Sequence, residues 1–209
     1  MNLNNETTDL EVNSEEKEMS KEEWAELIKA VYDNGLAALR IHYNDVEAQV
    51  SNFHDYGPVF IFHVKDESGS RYSCGFFLHE LLNRFQSDND PAVWMSSFFV
   101  ELMETKGGKP LPKPATNEAE AKAIIDNILV PECIKAVTEE FASEQVHAGL
   151  AWKEDHGPVF EAGFPALTGG NNVCAISLHF LLIHLQLNRD PGDLLIQEMY
   201  NIRKEHGIG

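Results

Sequence analysis

Apolar residues along this chain alternate between two spacings, and each change of spacing marks an element. Trp24, Leu27, Ile28 and Val31 recur on one helical face. They follow Ser20-Lys21-Glu22-Glu23, the S-x-x-E arrangement in which a hydroxyl and a carboxylate satisfy the first free amides of a helix. The helix is expected to end near Asn34-Gly35 or to run on to Leu39. Residues 42–53 mix alternating and polar positions, an expected strand, and 58–64 (P-V-F-I-F-H-V) are β-branched and aromatic, a clear one. A turn at 66–70 and a return strand at 71–77 complete a meander. Leu78, Leu81, Leu82 and Phe85 then define the buried face of a helix. Asp90-Pro91 joins an N-cap residue to a first-turn proline and starts another.

The same succession returns. Asn117-Glu118-Ala119-Glu120 precedes Ile124, Ile125 and Ile128, then Ile134, Val137 and Phe141, with Pro131 expected to kink or restart the helix. Strands are expected at 149–153, 159–164 and 173–177, with a turn at 168–172. Leu178, Leu181, Leu182 and Leu185 repeat the helical stripe, and Asp190-Pro191 repeats the last helix start. Placed without a gap, residues 51–104 and 151–204 agree at fourteen of fifty-four positions. The agreement is clustered in D-x-G-P-V-F, C-x-x-x-L-H-x-L-L and D-P, which argues for an internal duplication. The expected fold is therefore α+β, a tandem duplication of an α-β-β-β-α-α unit packed as a pseudo-twofold pair. Its parts are a disordered acidic tail (1–19), a first repeat (20–104), a Pro/Gly/Lys linker (105–117) and a second repeat (118–209).

Charge changes the picture more than size does. The chain carries −18, divided as −5 in 1–20, −8 in each repeat and +3 in the linker. Such a surface repels nucleic acid and anionic lipid and favours encounter with a basic protein. No apolar run approaches the ~20 residues that span a bilayer, and no basic-then-apolar leader opens the chain, so a soluble cytoplasmic protein is expected. Three cysteines make no disulfide framework and are expected as buried thiols.

Candidate chemistry is sparse. Cys74, His79, Cys174 and His179 together hold the donor inventory of a Cys2His2 metal site, if the duplication brings them to a common axis. His79 with Gln86, and His179 with Gln186, share helix faces that would line a cleft between the halves. D-x-G-P-V-F is accounted for by turn chemistry. Phosphate loops, dinucleotide fingerprints, nucleophile elbows and H-E-x-x-H are all missing, and no cofactor is expected. The leading expectation is an acidic interaction protein that binds, and neutralises or chaperones, a basic protein partner, as a monomeric pseudo-dimer or a homo-oligomer. Trp94, Trp152 and Tyr56 are its candidate contact residues. The alternative is a small His-dependent or metal-dependent hydrolase with its site at the pseudo-twofold axis.

Overall fold

A computed structural model of the chain describes residues 20–53, 55–87, 90–106, 111–166 and 170–207. The tail expected at 1–19, residues 107–110 of the linker and positions 168 and 169 of the second turn lie outside them. Helix α1 (Lys21–His42) opens on the expected capping box: the Glu23 amide donates to Ser20 Oγ at 3.2 Å, and the Ser20 amide donates to the Glu23 carboxylate at 2.7 Å. It runs past both expected ends, Gly35 and Leu39, to His42. That glycine lies over the Phe62 ring, where a Cβ would stand 2.9 Å from Cζ, so it permits a close helix–sheet approach and does not stop the helix.

Strands β1 (Asp45–Phe53), β2 (Gly57–Lys65) and β3 (Arg71–Phe77) follow as an antiparallel meander, then α2 (Leu78–Gln86) and α3 (Pro91–Lys106). The second unit opens with α4 (Glu118–Ile124), capped by the Asn117 side chain, and α5 (Val130–Glu140). A π-helical turn, Ile125–Leu129, joins them. Pro131 offers no amide to the carbonyl four residues back, and the widened turn just before it is the local answer. Strands β4 (His147–Lys153), β5 (Gly157–Pro165) and β6 (Asn171–Ser177) form a second meander, followed by α6 (Leu178–Gln186) and α7 (Pro191–His206). The α+β duplication is thus present as two separate three-stranded sheets in the orders β1-β2-β3 and β4-β5-β6.

The shared motifs do the same local work twice. Gly57 and Gly157 take φ of +78° and +69° at the β1–β2 and β4–β5 turns, where L side chains are strained. Asp90 and Asp190 accept the amides of Ala92 and Gly192 at 2.8 and 2.7 Å, capping α3 and α7. Register is conserved as well: Phe62 pairs with Cys74, and Ala162 with Cys174.

Each unit has its own core. Phe60, Phe62 and Phe76 pack with Leu39, Met95 and Phe99; Phe160 and Phe164 pack with Leu129, Val137 and Met199. A third cluster is the seam between the units. Val59, Ile61 and Phe77, on the other face of the first sheet, are covered by Phe180 and Ile183 from α6 and by Leu187 just after it, with Tyr56 and Leu111 at its margin. The seam is not copied in reverse. Where α6 offers Phe180 and Ile183, α2 offers Glu80 and Asn83, and Ala175 is exposed where Gly75 is buried. No described helix is long and apolar enough to cross a membrane.

Candidate functional site at the seam

The loop from α6 to α7 is held against β3 by three consecutive residues. The Leu187 carbonyl accepts the Gly75 amide at 3.0 Å, Asn188 donates its side-chain amide to the Ser73 carbonyl at 2.9 Å, and Arg189 reaches the Gly75 carbonyl at 3.4 Å. Asn188 sits at φ +58°, a conformation that asparagine tolerates better than most residues. This places the Arg189 guanidinium inside the first unit. It forms two parallel hydrogen bonds to Glu80, Nη1 to Oε2 at 3.0 Å and Nη2 to Oε1 at 3.1 Å, and lies over the Phe98 ring at 4.2 Å.

Glu80 is the third residue of α2, and its Oε2 also accepts the Phe77 amide at 2.9 Å, so the carboxylate caps the helix it belongs to. His184 approaches from α6, with Nε2 3.8 Å from Glu80 Oε1 and Nδ1 3.1 Å from the Phe180 carbonyl. Burial alone would raise the Glu80 carboxyl. The neighbouring His184 ring and the Arg189 guanidinium outweigh it and hold the group down at about 2.

Beside this cluster runs a groove of about 590 Å³ between the units. Trp94, Phe98 and Phe180 wall it, and it carries four carboxylates (Glu80, Asp190, Asp193, Glu198) against two guanidiniums. Both guanidiniums are engaged, Arg189 by Glu80 and Arg84 over the Trp94 ring at 4.9 Å. Burial, and then the neighbouring Asp190 charge, push the Asp193 carboxyl above the usual range. A positive group entering the groove would relieve that repulsion. An open depression of about 500 Å³ adjoins it, bordered by Asp55, Tyr56, His79 and Ser177. On the other side of Tyr56 and His79 lies an apolar hollow lined by Trp24, Ile28, Pro58 and Leu82.

The residues singled out in the sequence are dispersed over these features. Cys74 is buried in the first core, and Cys174 is half-buried at the second, its thiol 3.3 Å from the Ala162 carbonyl. His79 is exposed and stacks on Phe77 at 5.4 Å; His179 is exposed and meets the Tyr56 ring at 5.5 Å. The two histidines thus flank the seam, while the two thiols face separate cores. Among the described residues no group of three or more His, Cys, Asp or Glu side chains is arranged to hold a metal ion. Trp94 is a groove wall, Tyr56 belongs to the seam, and Trp152 stands open at 73% exposure.

Glu80, His184 and Arg189 escaped the sequence reading because it looked for positions the repeats share. Their counterparts are Phe180, Arg84 and Asn89, so the signal lay in a carboxylate facing an aromatic ring and an arginine facing an asparagine. Compared with family models, with curated proteins and with solved structures, the chain finds no match in any of the three.

Proposed function

We propose that this chain is an acidic cytoplasmic interaction module whose inter-repeat groove receives a basic segment of a partner protein, and that covering this segment neutralises or chaperones the partner. One observation carries the reading. Inside the groove the cations are already committed, while Asp190, Asp193 and Glu198 form no salt bridge among the described residues, and Arg189, the cation that does act on Asp193, is held by Glu80. The aromatic walls supply the apolar contact that a lysine or arginine stem uses beside its charge. The −18 net charge supports fast encounter with such a partner and disfavours nucleic acid.

A second reading, a His-dependent hydrolase, has one observation in its favour: Asp55, His79 and Ser177 border the same depression. No hydrogen bond joins any two of them, so the base is not wired to a nucleophile.

Calorimetric titration with an arginine- and lysine-rich peptide separates the two. Asp193→Asn with Glu198→Gln should weaken binding by about tenfold and flatten its salt dependence. Ser177→Ala, at the adjoining depression and outside the groove lining, should leave binding unchanged. Equal affinity in the wild type and the carboxylate variant would overturn the groove as the site; ester turnover lost in His79→Asn would favour the hydrolase.

A further inference from the structure

The edge of a sheet keeps a row of unpaired amides and carbonyls, and proteins cover such edges or guard them with charge. Here β3 is covered by Leu187, Asn188 and Arg189. Strand β1 shows a single exposed large apolar side chain, Val50, carries Asp45 and Glu47 paired with Lys65 and Arg71, and has its Ala48 carbonyl taken by the Tyr32 hydroxyl at 2.9 Å. Strand β6 presents no exposed large apolar side chain. Strand β4 is different. It pairs only with β5, and among the described residues no backbone group of 147–152 bonds outside the sheet. Leu150 and Trp152, on one face, are 55% and 73% exposed. Residues 145–153 (Q-V-H-A-G-L-A-W-K) contain no acid, in a chain whose net charge is −18.

From this we infer that β4 is a self-association edge, which pairs antiparallel with β4 of a second copy and joins the two second-repeat sheets into one of six strands. The strand complements itself about Leu150. A twofold axis there sets Leu150 against its own copy, Trp152 against Ala148, and Lys153 against His147. Ala148 is small enough to leave the indole room, and a cross-strand aromatic contact of this kind stabilises a strand pair. The facing Lys153 and His147 do not oppose the pairing, because each already lies beside Glu161, Lys153 as an ion pair and His147 at 3.9 Å. Charge also selects the occupant. A basic partner is drawn to carboxylates, which β4 lacks, whereas a second acidic copy is repelled least at this edge. The contact uses the same surface on both copies, so it closes as a dimer and does not propagate into a filament.

Sedimentation equilibrium of the full chain, from about 1 to about 200 µM at physiological salt, reads the association directly. The expected result is a reversible approach to twice the 23.5 kDa chain mass. Trp152→Lys, at a solvent-exposed side chain, should weaken it by about tenfold or more while the circular dichroism is unchanged. Register is tested by cysteine substitution. Residues directly opposite in an antiparallel pair stand about 4.5–5.5 Å apart at Cα, within disulfide reach. Leu150→Cys should therefore oxidise to a covalent dimer, and Val50→Cys, on the guarded β1 edge, should not. A chain that stays at single mass throughout, a dimer indifferent to Trp152→Lys, or cross-linking through Val50→Cys in place of Leu150→Cys would each overturn the proposal.

Discussion

Glu80 and Arg189 stand 109 positions apart in the chain and meet through two hydrogen bonds of 3.0 and 3.1 Å across the seam. Their counterparts, Phe180 and Asn89, have no chemistry to form the same pair, so the lock exists on one side of the duplication only. Replacing Glu80 by Gln leaves Arg189, 8% exposed, without its counter-charge. The expected cost is about 3 kcal/mol of unfolding free energy in urea. Adding Arg189→Met should recover part of it, since the Met side chain fits the aromatic surroundings and needs no partner.

The same carboxylate sets an acid limit. Its folded pKa of about 2 lies below the ordinary 4.5, so its contribution is fully present above pH 4.5 and is lost as pH falls from 4.5 towards 2. That interval corresponds to about 3 kcal/mol. Acid unfolding should show a steeper loss of stability across it in the wild type than in Glu80→Gln. Equal slopes would mean that the ion pair is not coupled to folding.

Gly75 tests the tightness of the seam. A Cβ there would stand 2.5 Å from Leu187 Cδ2, so Gly75→Ala should cost about 1–3 kcal/mol. In the double variant with Leu187→Ala the two costs should fall short of additive, because the truncated side chain vacates the space the new methyl needs. Strict additivity, measured by chemical denaturation, would show that the loop yields without strain.

Thiol reactivity should divide native from unfolded protein. Burial, with Asp190 and Glu132 adding repulsion, pushes the Cys133 thiol up to about 12, and burial raises Cys174 as well. Titration with a chromogenic disulfide at pH 8 should modify Cys133 at the rate of global unfolding. Rapid labelling in the native state would show that α5 opens locally.

Local chemistry made most of the fold readable in advance. Ser20 with Glu23, Asp90 and Asp190 before their prolines, and the glycines of D-x-G-P-V-F act within four residues of themselves, and the structure places each as its chemistry requires. The π turn before Pro131 was legible as a disturbance but not as a widened helix, because proline permits several repairs. Gly35 misled, since its reason lies at Phe62, twenty-seven positions on. The seam lay beyond periodicity altogether. A leucine stripe marks a buried face of α6, but Phe180 and Ile183, with Leu187 just after the helix, bury a second one, and only the fold says against what.

The one-sided seam also imposes an order on biosynthesis. The first repeat emerges from the ribosome complete in its own core, yet with Val59, Ile61 and Phe77 bare until α6 and its following loop are made, about eighty-five residues later. Over that interval the nascent chain displays an apolar sheet face and an uncovered β3 edge. The second repeat never passes through such a stage, because the surface it brings to the seam is finished only when its cover already waits. A truncated chain ending in the linker would keep the exposed face permanently, and should be the form that aggregates.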